Sequence, residues 1–337
     1  MKAIDYTKKS LTVEASELKK IHEVVDSVFY RTVSLTWVTI FLIIYASVFI
    51  SERFEQWYFL YPIIAFVIAS RMGVLLQLVH EAAHGLLVNN RKLNNLLCDL
   101  FCAMPIGITN DGYARGHAYH HAHTGTEKDP QSDREKYKEP NLTKLAPYIL
   151  LLKDIFGITA LSVFRSYFDN NKEIIEKKEK ATVLSEKLLV LIRFGLVQIC
   201  VFGILFRFDI KDYLIFWLYP AMGPHMVLMR FRGIAEHGLA GQLNRVVDNV
   251  RSGIFHTRSF GTPVNQYKNK IFSFTERFLI GSLNVYYHHE HHLYPSVPFY
   301  KLPELHALVS EQIIESNPDV YAKGYFSAAF RNVTGSQ

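Results

Sequence analysis

The sequence predicts an all-α integral membrane protein, with four transmembrane helices in two hairpins and a cytoplasmic helical cap. Apolar residues make up 49% of the 337 residues and are concentrated in blocks. Four blocks approach the roughly 20 residues that a helix needs to cross a bilayer. Lysine and arginine fall almost entirely outside the two short connections between blocks. We treat 1–337 as one domain, because neither a repeat nor a linker marks a separate soluble part.

Each predicted span is a long apolar block with few charged residues. The four blocks comprise residues 33–50, 58–79, 188–206 and 213–231. A short connection joins the first block to the second, and another joins the third to the fourth. Short connections join antiparallel neighbours, so the blocks predict two hairpins.

Two shorter apolar stretches are predicted to be helices in or near the membrane interface. The stretch 96–108 is too short to span a bilayer. The stretch 145–164 is nearly long enough, but Lys153 and Asp154 interrupt it. Interfacial helices combine an apolar face with charged residues.

The positive charges predict the orientation of the spans. The two short connections contain only Arg53, Arg207 and Lys211, whereas nearly all other lysines and arginines lie in the remaining segments. Cytoplasmic loops are enriched in lysine and arginine. Both termini are therefore expected in the cytoplasm, with an N-terminal arm of residues 1–32 and a cap formed by 80–187 and 232–337.

Composition argues against a nucleic-acid-binding protein and against a protein held together by disulfide bonds. The net charge is +6, but the basic residues adjoin apolar blocks instead of forming one tract. We therefore expect membrane-flanking charge and no nucleic-acid partner. Cys98, Cys102 and Cys200 form no paired framework and are interpreted as buried reduced thiols. The polar N-terminus does not resemble a cleaved signal peptide.

Three clusters stand out among the fifteen histidines. Box one is HEAAH at 80–84, box two is HAYHH at 117–121, and box three is HHEHH at 288–292. His237 follows the fourth predicted span. Residues three and four apart share one face of a helix, so each box can direct two or three imidazoles to one point. The predicted topology brings all of them to the cytoplasmic side of the membrane.

The number of histidines favours two metal ions. Imidazole binds Zn, Cu, Fe and Ni. A single catalytic zinc needs about three protein ligands, which would leave most of these histidines unused. Eight or nine imidazoles suit two ions, and two redox-active irons beside a membrane suggest dioxygen activation.

The motifs HEAAH, HAYHH and HHEHHLYPSVP resemble the histidine boxes of the integral-membrane fatty acid desaturase superfamily. That superfamily also contains hydroxylases, carotenoid ketolases and terminal-alkene-forming decarboxylases. The resemblance covers residues from about 40 to about 300 and is specific for the superfamily, not for a substrate. It implies four membrane helices with a cytoplasmic cap, two iron ions, O₂ as co-substrate and electrons from a separate protein.

The resemblance also implies the metal ligands, carried over box by box. His237 matches an additional histidine that many members place after the last span. The implied ligands are His80, His84, His117, His120, His121, His237, His288, His291 and His292.

Other residues are candidates for supporting roles. Asp129, in TEKDPQSD, and Glu81 are expected to hydrogen-bond ligand imidazoles, with a solvated acid as the alternative. Arg71, about 13 Å before His80 along a helix, meets a substrate carboxylate or a buried acid, or else packs between helices. His289 and His123 are expected to pack or to support ligands. We interpret the remaining isolated histidines as ordinary, and expect His306→Ala to retain activity: His22, His225, His256 and His306.

The expected activity is fatty acyl desaturation on a lipid or fatty acyl chain. No His-Pro-Gly-Gly haem motif of a fused cytochrome b5 occurs, so a ferredoxin or a cytochrome b5 with its reductase is expected to supply electrons. Hydroxylation, ketone formation and decarboxylation to a terminal alkene remain open, because the boxes do not distinguish these outcomes.

Two further alternatives use the histidines differently. His-Glu-x-x-His also occurs in zinc proteases, and an intramembrane protease would need an acidic third ligand such as Asp111. That interpretation leaves boxes two and three unused. A metal transporter would place ionisable residues near the bilayer midplane, whereas these histidines lie at its edge.

Overall fold

The computed structural model describes residues 13–124, 129, 146–169, 180–237, 257–263, 265–316 and 318–334. These residues are almost entirely helical, and the one departure from the all-α prediction among them is a pair of two-residue strands. In chain order the elements are α1 (Ala15–Ile21), α2 (Asp26–Arg53), α3 (Tyr61–His84), α4 (Arg91–Cys98), α5 (Asn110–His123), α6 (Ala146–Ile155), α7 (Ile158–Asp169), α8 (Lys180–Phe206), α9 (Ile210–Tyr213), α10 (Tyr219–Met222), α11 (Pro224–His237), β1 (Ser259–Phe260), α12 (Lys270–Leu279), α13 (His288–Leu293), α14 (Leu302–Ser316), β2 (Tyr321–Ala322) and α15 (Tyr325–Thr334).

The chain forms two compact units. The apolar unit comprises residues 25–115 and 152–227, and the histidine unit comprises residues 1–24, 116–151 and 228–337. The prediction that 1–337 is one domain is not tested by this division and stays a prediction.

Three segments of the described chain are long and apolar enough to cross a membrane. They lie within Ala15–Arg53, Tyr61–His84 and Leu188–Phe206. They contain the first and third predicted spans and all of the second except residues 58–60, because α3 begins at Tyr61. The first span is part of a longer helix than expected, since α2 begins at Asp26, inside the predicted N-terminal arm. These helices indicate a membrane protein.

The fourth predicted span is helical but interrupted. A π-helical segment, Leu214–Leu218, follows α9, and Gly223 separates α10 from α11. A Cβ on Gly223 would lie 2.5 Å from the carbonyl oxygen of Ile155, so only glycine permits this close approach. Because of this interruption, no single helix in the segment is long enough to cross a membrane. A fourth span therefore stays a prediction.

An apolar core holds the helices of the apolar unit together. It contains buried residues of α2, α3, α8 and the π-helical segment: Ile40, Ile44, Ile68, Met72, Leu75, Val201, Phe206, Phe216 and Trp217. The Tyr61 hydroxyl donates to the carbonyl oxygen of Ile215 at 2.7 Å. This bond pairs a backbone acceptor inside the π-helical segment, where the regular helical pattern is broken.

Much of the outer surface of this unit is apolar. Leu35 is 60% exposed, Leu196 58% and Ile204 70%. Large contiguous apolar surfaces are rare on soluble monomers, and lipid would cover these residues. Cys98 and Cys102 are buried as predicted, whereas the prediction for Cys200 is wrong: its thiol is exposed on α8.

Both predicted interfacial stretches are helical in the structure. The first contains the end of α4, a π-helical segment (Asp99–Ala103) and a 3₁₀ turn (Met104–Ile106). Gln198 of α8 donates to the Met104 carbonyl at 2.6 Å, so a hydrogen bond connects this stretch to α8. The second stretch forms two helices, α6 and α7, because Gly157 turns the chain with a φ of 73°. Their placement in a membrane interface stays a prediction.

The histidine unit has its own core around α13 and α14. Its buried residues come from α1, α13, α14, β2 and the segments next to them: Ile21, Tyr287, Leu293, Tyr294, Val297, Leu302, Leu305, Val309, Ile313, Val320 and Tyr321. Strands β1 and β2 pair in parallel, with Ser259 opposite Tyr321 and Phe260 opposite Ala322. Box three, which forms α13, therefore lies on a packed support.

Candidate metal centre

Box two lies on α5, where helical spacing brings three imidazoles to one face. His117 is 5% exposed and His120 1% exposed. The Nε2 atoms of His117 and His121 are 3.0 Å apart, as expected for residues four apart on a helix.

Box three forms α13 itself, and every residue of this short helix is buried. His237, the last residue of α11, joins it: the Nε2 atoms of His237 and His288 are 3.0 Å apart. The prediction that His237 accompanies the boxes therefore agrees with its position in the histidine unit.

Besides a group that combines Glu236 with His237 and His288, the histidine unit contains two groups made of imidazoles alone. In one, ring nitrogens of His117, His121 and His291 lie within 4.8 Å of one another. In the other, nitrogens of His120, His237 and His292 are equally close. Two sequence-distant boxes and His237 thus converge, as the resemblance implies.

The donor atoms of these groups fit a metal ion. His121 Nε2 lies 3.0 Å from His117 Nε2 and 3.2 Å from His291 Nε2. A ring nitrogen carries at most one proton, so His121 cannot donate to both neighbours, whereas a cation would satisfy all three lone pairs. Nitrogens bound at about 2.1 Å and at right angles lie about 3.0 Å apart. Among the described residues, the buried Nε2 of His292 also has no hydrogen-bond partner.

Asp129 lies directly behind His120. Its two carboxylate oxygens are 2.8 and 2.9 Å from His120 Nδ1, and Asp129 is 2% exposed. With Nδ1 donating to the carboxylate, Nε2 is left with its lone pair, which is the form that binds a metal. The structure thus places Asp129 where a supporting residue would lie, although that role stays a prediction.

Asp129→Asn is expected to weaken the metal site without unfolding the chain. An amide lacks the carboxylate charge that orients His120, and loss of such partners costs about 10- to 100-fold in affinity or activity. The measurement is bound iron per chain, with turnover, after dialysis against a weak chelator. Asp111→Asn, at a carboxylate that is 80% exposed, is the control. Equal iron retention in both variants would contradict the supporting role.

Glu290, the central residue of box three, was not singled out by the sequence. It is fully buried and accepts hydrogen bonds from His306 Nδ1 at 2.5 Å, Tyr321 Oη at 3.0 Å and Ser259 Oγ. Burial alone raises the Glu290 pKa, but the bond and charge of His306 outweigh it and hold that pKa below its usual value. His306, interpreted as ordinary because it is isolated in the sequence, thus contacts box three.

Glu236 is a second buried acid that the sequence did not single out. Its Oε1 accepts from Arg232 Nε at 2.7 Å and from the Tyr325 hydroxyl at 3.3 Å. Its Oε2 lies 3.6 Å from Nδ1 of His288. Burial raises the Glu236 pKa despite the adjacent Arg232. Its position next to His237 in the sequence is the one signal that would have suggested it.

His289 has a contact set that differs from those of its neighbours in box three. Its Nδ1 lies 2.8 Å from the Thr257 hydroxyl, and its backbone N–H donates to Ser259 Oγ at 3.0 Å. Within the described chain, His289 belongs to no group of converging metal-binding atoms. The predicted role of His289, packing or support of a ligand, stays a prediction.

Box one ends α3 in the apolar unit. His80 and His84 have ring centroids 5.1 Å apart, and Glu81 Oε1 is 3.4 Å from His80 Nδ1, consistent with the predicted support. Gly85 ends the helix with a φ of 78°. Asn94 fixes this end, because its Nδ2 donates to the Ala82 carbonyl at 3.0 Å.

The remaining candidates have local contacts. Arg71 is partly buried in α3 and its Nε donates to Ser70 Oγ at 3.2 Å. His225 Nδ1 lies 3.3 Å from the Ala69 carbonyl oxygen, and the His123 ring packs on Tyr119. His256 lies outside the described residues.

Comparison with known proteins supports the resemblance. The family model described as fatty acid desaturase matches residues 55–323. Dihydrorhizobitoxine desaturase of Bradyrhizobium elkanii is 27% identical over 255 residues, which cover 73% of this chain. The match spans 66% of that relative, just under two thirds of its length.

These matches confirm the superfamily predicted from the three histidine boxes. The matched range contains all three boxes and His237. The chain belongs to the fatty acid desaturase family.

Proposed function

We propose that the protein is a membrane-bound, O₂-dependent oxidoreductase that holds two iron ions and introduces a C=C bond into the alkyl chain of a lipid or fatty acyl substrate. The observation that carries this proposal is the convergence of buried imidazoles from box two, box three and His237. Imidazole suits iron among other transition metals, and the family supplies the reaction class.

The proposed iron ligands are His237 and eight histidines of the boxes: His80, His84, His117, His120, His121, His288, His291 and His292. His80 and His84 of box one are included because the HEAAH motif resembles the first histidine box of the family. When bound, the two irons supply activation of dioxygen for removal of hydrogen from an unactivated C–H bond. The residues of the chain hold the metals and orient their ligands, with Asp129 on His120 and Glu236 near His288. Glu81 is the corresponding partner proposed for His80.

The proposed topology has four spans, with both termini and the histidines on the cytoplasmic side. The positive charges of the sequence support this orientation. An external ferredoxin or cytochrome b5 with its reductase would then reach the metal site from the cytoplasm. The apolar helices of the apolar unit would bind the alkyl chain, and Arg71 is a candidate contact for a substrate carboxylate.

The zinc-protease alternative requires Asp111 as a third metal ligand, and the position of Asp111 does not support that role. Asp111 has an 80% exposed side chain and pairs with Arg115 on the same helix. A metal ligand of a catalytic site is normally held in place by further contacts. This alternative also leaves the buried histidines of the histidine unit without a role.

Elemental analysis of detergent-purified protein tests the proposal. We expect about two irons and little zinc per chain, followed by O₂-dependent formation of an unsaturated product. The substrate panel contains free fatty acids, acyl thioesters, membrane lipids and dihydrorhizobitoxine, because the last is named in the relative's activity. One zinc per chain, with no gain of O₂-dependent activity after anaerobic loading with Fe²⁺, would contradict the proposal. A hydroxylated, ketone or terminal-alkene product would leave the proposed metal site in place, but it would contradict desaturation as the reaction type.

A further inference from the structure

Box three lies on a helix that cannot define its own orientation. Helix α13 has six residues, and isolated helices this short are not stable in water. Successive residues of an α-helix are rotated by about 100°. His288, His291 and His292 therefore share one face, and Glu290 projects about 150° away from the centre of that face. The contacts of Glu290 thus determine which way the imidazoles point.

The Glu290 carboxylate is bonded by donors from three separate elements. Ser259 belongs to β1, Tyr321 to β2, and His306 to α14. Oε1 accepts from His306 and Tyr321, and Oε2 accepts from Ser259. We name these three donors and Glu290 the Glu290 anchor.

Each part of the anchor is itself held in place. Strand pairing fixes Ser259 opposite Tyr321, and Ser259 Oγ also accepts the backbone N–H of His289. His306 is 4% exposed and its ring packs on Tyr287 at a centroid distance of 5.0 Å. Buried polar groups that are fully bonded specify one arrangement of a core. The anchor therefore opposes rotation of α13 about its axis.

We propose that the Glu290 anchor fixes the rotation of box three, and that His306 and Tyr321 are positioning residues for the metal-binding imidazoles. This inference rests on the proposed function, since it gives the imidazoles a metal to bind. It revises the expectation from the sequence that His306 has no role in the site. His306 touches Glu290 and not the converging imidazoles, so its effect is indirect.

The test compares substitutions that remove one donor with a substitution that keeps it. His306→Leu removes the donor, whereas His306→Asn places an amide N–H close to the position of Nδ1. Tyr321→Phe removes only a hydroxyl. His22→Leu is the matched control, because His22 also contacts the segment after box three, through Ser296 Oγ at 2.8 Å, but does not touch Glu290.

Metal binding is measured by titrating metal-free protein with Co²⁺ and recording its visible spectrum, together with iron retained against a chelator and the melting temperature. We expect His306→Leu to weaken metal binding by about 10- to 100-fold and to alter the Co²⁺ spectrum. Tyr321→Phe should have a smaller effect in the same direction, and His306→Asn should recover most of the affinity. His22→Leu should match the wild type in both metal readouts.

The outcomes separate this inference from the proposed function. Wild-type protein that binds no iron would overturn the proposed function. Wild-type protein with two irons, and His306→Leu and Tyr321→Phe variants that bind metal equally tightly with unchanged spectra, would overturn the anchor alone. If His306→Leu does not fold, Tyr321→Phe decides, because it preserves the packing of the ring.

Discussion

His120→Ala and His291→Ala are each expected to abolish activity and to release bound iron. His120 belongs to one group of converging nitrogens and His291 to the other, so each substitution tests a different group. Loss of a ligand should exceed the roughly 10- to 100-fold cost of losing a residue that only supports one. His84→Ala is expected to have the same effect through box one. Turnover and iron per chain are measured on the same preparations.

The matched control for these variants is His123→Ala. His123 lies on α5 with box two, but its ring packs on Tyr119 and it belongs to none of the described groups of converging nitrogens. It should retain most of the iron and most of the turnover. If His120→Ala or His291→Ala kept near wild-type turnover, the proposed ligand set would be wrong.

Removal of the metal is expected to eliminate activity reversibly. A strong Fe²⁺ chelator applied under reducing conditions should leave a folded protein without turnover. Two equivalents of Fe²⁺ should then restore O₂-dependent product formation, whereas Zn²⁺ should bind without restoring it, because zinc has no redox chemistry. Turnover, metal content and circular dichroism are followed through both steps.

The His291→Ala variant serves as the control for this reconstitution. It should not regain activity with Fe²⁺, because one group lacks a ligand. Activity that persists after complete removal of iron, or that returns with zinc alone, would contradict the proposed dioxygen chemistry.

A common feature of the site is the position of carboxylates behind imidazoles. Asp129 contacts His120, and Glu236 lies near His288. Glu290 differs, since its carboxylate meets no box histidine side chain in a hydrogen bond among the described contacts and is bonded by His306 instead. In the proposed site, Asp129 and Glu236 would therefore orient individual ligands, and Glu290 would hold the helix that carries three of them.

The sequence by itself determined the family, the three boxes and the apolar helices. These features depend on local spacing: positions i, i+3 and i+4 share a helix face, and a run of about 20 apolar residues is long enough to span a bilayer as a helix. The motif therefore led to His117, His120 and His121 on α5 without any knowledge of distant contacts.

Only the tertiary structure decided which distant residues meet. His306 is isolated in the sequence and contacts Glu290 because α14 packs beside α13. The interruption at Gly223 depends on the close approach of the Ile155 carbonyl, which no local pattern reports. Hydrogen bonding between segments far apart in the chain depends on packing, whereas hydropathy and helical periodicity depend only on neighbours. The sequence therefore shows the histidine boxes but not the distant residues that contact them.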